Sequence, residues 1–288
     1  MRRALISVSL LVLAWSLCFP AAGSAGVPSS KIVYSDAYGG SGIYTALPDA
    51  TAATQIPGTD HALRPVWSSD GTGIAFLARG GGIRWVDADG SNGRAIVAPA
   101  GLPGGWPRVG SFAWSPDGSQ LVVELLPQDY DPARLFTLTV ADGSLAPLLR
   151  GARQPDWASD GTIVAVRKGH LITFDADGSN LVEILGTANN SDPAWSPDAS
   201  RIVFMHPVNK ASDIFVVDAD GSNPTNLTHS KQVDWSPTWS PDGGTIMWSR
   251  SKDVYSFGNL FTMLADGSSV TRLTATDKID EYEPDWTS

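Results

Sequence analysis

The chain has 288 residues, with 20 basic and 30 acidic side chains for a net charge of −10, and 42% of it is apolar. That negative balance repels a phosphate backbone and excludes nucleic acid as the expected partner. The one cysteine, Cys18, excludes a disulfide framework, so stability has to come from burial.

The first 25 residues read as a secretory signal peptide. Arg2 and Arg3 precede an apolar run from Ala4 to Phe19, and small residues follow to Ala25, where cleavage is expected. The run is short for a bilayer span, so no integral membrane span is expected after cleavage. Leu17 stands before Cys18 where a lipoprotein signal carries a small residue, so no lipid anchor is expected. The sequence therefore predicts a periplasmic or secreted protein.

From residue 31 onward the chain repeats. VWSSDG at 66, AWSPDG at 113, DWASDG at 156, AWSPDA at 194, TWSPDG at 238 and a final DWTS place six tryptophans, Trp67, Trp114, Trp157, Trp195, Trp239 and Trp286, at intervals of 47, 43, 38, 44 and 47 residues. That period suits one four-stranded unit. After each of the first five tryptophans comes an apolar segment (IAFLA, LVVEL, IVAV, IVFM, IMWS), then a second (IRWVDADG, LFTLTVADG, LITFDADG, IFVVDADG, LFTMLADG) and a shorter third (RAIV, APLL, LVEIL, TNLT, TRLT). Their β-branched and aromatic residues, bounded by Gly, Pro, Asp and Ser, predict strands a, b, c and d.

The ends are complementary. KIVYS at 31, GIYTA at 42 and ATQI at 53 read as strands b, c and d with no tryptophan strand before them, while EYEPDWTS supplies a strand a with nothing after it. The expected fold is all-β: a six-bladed β-propeller over residues 31–288, its ring closed by the N-terminal strands b–d pairing with the C-terminal strand a.

These motifs, W-S-P-D-G followed by D-A-D-G-S and L-T, resemble the WD40-like (PD40) repeats of the TolB propeller family. The resemblance covers residues 31 to 288. It implies a periplasmic role in an envelope complex, with an outer-membrane lipoprotein as partner. It also implies a further N-terminal domain, for which residues 26 to 30 leave no room.

SPDG and DADGSN are turn signals: Pro fixes φ, Asp bonds nearby backbone and Gly takes φ > 0. DADGSN at 87, 175 and 218 also resembles the start of a calcium loop, but position 12 is Ala98, Gly186 and His229, none of them a carboxylate. Because antiparallel strands reverse, the a–b and c–d turns share one face and gather 14 aspartates there. The b–c and d–a loops share the other face, with the longest loops and all four histidines, His61, His170, His206 and His229.

Variable loops on a rigid repeat are where binding resides. Trp106, Arg108, Tyr130, His206, Tyr255 and Phe257 are therefore the candidates for contact with a protein partner, aromatic and arginine side chains being those that interfaces enrich. No G-x-S-x-G, H-E-x-x-H or Cys/His cluster occurs, so no catalytic residue, metal site or cofactor is expected. The expected function is that of a monomeric, non-catalytic binding or scaffold module in the cell envelope. The alternatives are a carbohydrate lyase or hydrolase working at the propeller mouth, and a sensor that binds a small ligand on the loop face.

Overall fold

The computed structural model describes residues 31–36, 42–103, 108–127, 132–185, 189–253, 255–275 and 280–287. The leader expected over residues 1–25, and the candidates Trp106 and Tyr130, lie outside the described residues.

All the regular structure described is β apart from one short 3-10 turn. Strands β1 (Lys31–Asp36), β2 (Gly42–Ala46) and β3 (Thr54–Gln55) open the chain. A four-stranded sheet follows in β4 (Leu63–Trp67), β5 (Gly73–Leu77), β6 (Ile83–Asp87) and β7 (Arg94–Val97). The next two sheets hold β8 (Arg108–Trp114), β9 (Gln120–Leu126), β10 (Arg134–Thr139) and β11 (Leu145–Arg150), then β12 (Ala152–Trp157), β13 (Ile163–Arg167), β14 (His170–Phe174) and β15 (Val182–Leu185). Strands β16 (Ser191–Trp195), β17 (Arg201–Val208), β18 (Ala211–Asp218), β19 (Thr225–Asn226), β20 (Val233–Trp239), β21 (Thr245–Ser251), β22 (Asn259–Leu264) and β23 (Thr271–Arg272) come next. Last comes β24 (Glu281–Thr287), which pairs antiparallel with β1, Ile32 opposite Trp286 and Val33 opposite Asp285.

The hydrogen bonding corrects one expectation. Six separate four-stranded sheets are expected, and four are found among the described residues: β24-β1-β2-β3, β4 to β7, β8 to β11 and β12 to β15. The strands from β16 to β23 form one eight-stranded sheet, because Ser212 of β18 makes a parallel bridge to Val233 of β20. The Ser212 hydroxyl reinforces that bridge, donating to Asp234 O at 2.7 Å and accepting from Asp234 N at 3.1 Å.

The b strands show why the sequence takes this form. Ile163, Val164, Ala165 and Val166 are all fully buried. Alternate residues point to opposite faces of a strand, and here Ile163 and Ala165 join a cluster with Val122 and Leu135 of the preceding sheet, while Val164 and Val166 join Ile202 and Phe204 of the following one. A strand covered on both faces needs a continuous apolar run rather than alternation. Repeat tryptophans sit at the same seams: Trp67 packs with Val33 and Ile43 of the preceding sheet, and the Trp239 indole donates to Ala194 O at 3.2 Å.

The DADGSN turns fasten one sheet to the next. At 218 to 223, Asp218 N donates to Ser222 O at 3.0 Å and Asn223 Nδ2 to Asp218 Oδ2 at 2.7 Å, so the aspartate is engaged within the turn. Gly221, at φ 86°, lies so close to β15 that a Cβ would collide with the Ile184 carbonyl. Gly221→Ala therefore combines a backbone clash with left-handed strain, and should lower unfolding free energy by about 2 kcal/mol or more. At Gly161, φ 95° with nothing within 4 Å of a Cβ, the same change should cost about 1 kcal/mol from strain alone. Urea denaturation of both variants measures the difference.

Candidate functional site

The six tryptophan-bearing strands converge on a central cavity. β4, β8, β12, β16, β20 and β24 contact one another in that order, and β24 contacts β4. Each carries a β-bulge just before its tryptophan, seen as a register shift against its partner strand. In five strands the bulged residue precedes proline: Arg64, Gln154, Asp192, Ser236 and Glu283, with φ between 49° and 51°. Proline has no N–H to give to the ladder, and the residue before it is driven from the right-handed helical region. A bulge accommodates both and re-aims the side chain. Ser111 occupies the equivalent place in β8 without a proline and without a positive φ.

These side chains line a cavity of about 150 Å³ towards the d–a loop end of the axis. A second cavity, about 420 Å³, opens towards the a–b turns and is bordered by tryptophans and serines of the repeat. Val66, Ala113, Asp156, Ala194, Thr238 and Asp285 border both.

Charge is concentrated at this axis. Arg64 Nη2 lies 3.0 Å from Glu283 Oε1, and Arg64 N donates to Glu283 Oε2 at 2.9 Å. Burial disfavours the Arg64 charge, but Glu283, Asp192 and Glu124 more than offset it and hold the guanidinium protonated. Across the axis, Gln154 Nε2 donates to Asp192 Oδ1 at 2.6 Å, and Glu124 Oε2 accepts from Ser111 Oγ at 2.6 Å and from Gln154 N at 3.1 Å.

Two further carboxylates sit nearer the tryptophans. Asp156 Oδ2 accepts from Trp195 N and Asp285 Oδ2 from Trp67 N, each at 2.7 Å, so Asp156 of β12 holds β16 and Asp285 of β24 holds β4. Burial raises both, Asp285 to about 7, with the negative charge of Asp156 adding to the effect on Asp285. A second buried pair lies off this axis: Asp234, fully buried, takes a fork from Arg250 Nε at 2.5 Å and Nη2 at 2.7 Å. Arg250 stacks there over the Trp248 and Phe261 rings.

The loop-face candidates are dispersed. Arg108 opens β8 and is exposed; Tyr255 and Phe257 share the loop between β21 and β22, at 95% and 43% exposure. His206 lies within β17, half-buried, its Nδ1 2.8 Å from Asn190 Oδ1 and its ring edge-on to Phe215 at 5.2 Å. Burial lowers its pKa, with Asp213 opposing. The other histidines stand apart: His170 pairs with Glu183 at 2.7 Å, while His61 and His229 are exposed in separate loops. Among the described residues no three of His, Cys, Asp and Glu stand close enough to hold a metal ion.

Residues 178–288 match the family model of the TolB beta propeller domain. The fold is a TolB-like β-propeller. The solved TolB of Acinetobacter baumannii superposes with a TM-score of 0.73 over 90% of this chain and 66% of its own, at 18% identity. The Tol-Pal system protein TolB of Francisella tularensis subsp. mediasiatica is 28% identical over 106 residues, 36% of this chain and 24% of that protein. The match thus spans about a quarter of the length of that curated relative. A solved oligogalacturonate lyase in complex with manganese is also similar in fold, with a TM-score of 0.59 at 16% identity over 80% of this chain and 70% of its own.

Two outcomes test this electrostatic frame. A carboxylate whose pKa is raised in the folded state binds its proton more tightly there, so its contribution to stability falls as pH rises from about 4 to about 7. Asp285→Asn keeps an oxygen for Trp67 N and removes the titration. Its stability relative to the parent should therefore improve across that window, by on the order of 3 kcal/mol at the upper end, in denaturation at stepped pH. Arg64→Met leaves Glu283 buried without its cation and should cost about 3 kcal/mol, with Arg64→Met/Glu283→Gln recovering much of the loss.

Proposed function

We propose that the protein is an exported, non-catalytic β-propeller module that contacts a protein partner in the cell envelope through the face carrying the b–c and d–a loops. The TolB-type repeat over residues 178–288 is the observation that carries this reading. We take the eight-stranded sheet as two blades joined by one bridge, which makes six blades, and the β24–β1 pairing as the closure of their ring.

The division of side chains supports a binding role. Acidic groups of the central axis are engaged in holding strands: Asp156 and Asp285 on neighbouring backbone, Glu283 on Arg64. Serine side chains and backbone N–H groups bond turn-face aspartates, and this holds Asp117, Asp142, Asp198, Asp220, Asp242 and Asp266 below the ordinary carboxylate range, Asp198 at about 2. The loop face instead presents Tyr255, Phe257 and Arg108, the residue types that anchor interfaces.

A lyase reading draws on the likeness to the manganese-bound oligogalacturonate lyase. It requires side chains that converge on one ion, and the described histidines do not converge. The leader over residues 1–25 accounts for export, and no helix among the described residues is long and apolar enough to cross a membrane.

Capture from envelope extract tests the proposal. The protein beginning at Gly26 should retain a defined partner, and Tyr255→Ala/Phe257→Ala should weaken that capture about tenfold or more, the loss typical of an aromatic anchor. Unchanged capture by this variant, and by one shortened between residues 98 and 109, contradicts the choice of face.

A further inference from the structure

The three DADGSN turns form an internal comparison. Asn92, Asn180 and Asn223 share one conformation, with φ of 53°, 53° and 54°, all three are exposed, and each donates Nδ2 to the first aspartate of its turn at 2.6, 2.7 and 2.7 Å. They differ in the next residue, which is Gly93, Leu181 and Pro224 respectively.

We propose that Asn92 is a self-modifying site, deamidating through attack by the Gly93 backbone nitrogen, and that its two counterparts are protected by the residue after them. The Gly93 nitrogen bonds to Asn92 Cγ, closing a five-membered imide. The Cγ–Nδ2 bond breaks, and the amide nitrogen leaves as ammonia, taking the Gly93 N–H proton. Water then opens either imide C–N bond, giving aspartate or, through the other carbonyl, an isoaspartyl link.

Each step depends on the following residue. Attack requires the backbone to leave the left-handed turn so that the nitrogen reaches Cγ, and glycine, with no Cβ, allows that rotation most freely. Leu181 hinders it sterically. Pro224 has no N–H to lose, so no neutral imide forms at Asn223. The same difference makes asparagine a thermolabile residue in some contexts and not in others.

The consequence is local and structural. Aspartate at 92 places a second carboxylate where Nδ2 now donates to Asp87, replacing a hydrogen bond by like-charge repulsion. The isoaspartyl form adds a carbon to the backbone just before β7. This turn abuts the preceding sheet, since a Cβ on Gly90 would stand 2.9 Å from Pro57 Cδ. The modification therefore loosens the contact between the sheet of β4 to β7 and the sheet that joins the two ends of the chain.

Incubation of the whole protein at neutral pH, followed by peptide mapping with mass spectrometry that separates aspartate from isoaspartate, tests this. Product should accumulate first at Asn92, more slowly at Asn180 and not through the imide at Asn223, which would show no isoaspartate. Gly93→Ala is a sound control, because the atoms nearest its Cβ would be Val86 Cγ1 at 3.6 Å, Arg84 Nη2 at 3.7 Å and the Trp85 carbonyl oxygen at 3.9 Å, all ordinary contacts. This variant should bring the rate at Asn92 down to that at Asn180. Equal rates at Asn92 and Asn180 in the parent, or an unchanged rate in Gly93→Ala, would overturn the proposal. Asn92→Asp should melt below the parent, and equal melting would overturn the structural consequence.

Discussion

The structure depends on the hold of its last strand. β24 pairs along one edge with β1, joining residues some 250 positions apart in the sequence. Its carboxylates reach in the other direction: Glu283 takes the Arg64 guanidinium and backbone N–H, and Asp285 takes the Trp67 N–H, both on β4. One strand thus connects the sheet that begins the chain to the one that follows it. Its partners lie in different parts of the sequence, so forming these contacts requires long loops to close.

Buried charge at the axis follows from the geometry of convergence. Six strands side by side around one axis leave room for small side chains and a few polar ones, and an isolated charge there is costly. Arg64 among carboxylates, and carboxylates on strand N–H groups, are ways of satisfying those groups without a hydrophobic core on the axis itself. Apolar burial lies instead between the sheets, where Val164, Phe204 and Trp248 are covered. Rigid packing there leaves the loops free to vary.

Much of this fold is legible in the sequence because the repeat imposes the same demand at each copy. A tryptophan at each seam and a glycine at five of the six c–d turns recur because neighbouring sheets meet there in the same way, as Trp67 and Gly221 illustrate. The charged axis is not legible. Three residues before each tryptophan the sequence reads Arg, Ser, Gln, Asp, Ser and Glu, and this variation conceals a common position. Only the contact of β24 with β4 brings Arg64 beside Glu283. The available signal is the proline that follows five of the six, which marks a bulge rather than a loop. Three of the outer strands are shorter than their sequences suggest: ATQI, TNLT and TRLT each contribute two paired residues. Nor does any sequence pattern announce the Ser212–Val233 bridge.

Native-state hydrogen exchange at the seam tests the central claim most directly. If β24 holds the ends together, the paired amides of Val33 and Ser35, and the Trp67 amide held by Asp285, exchange only through global unfolding and respond to denaturant as the buried amides of β13 do. Exchange of the seam amides by local opening, while β13 remains protected, would contradict that role.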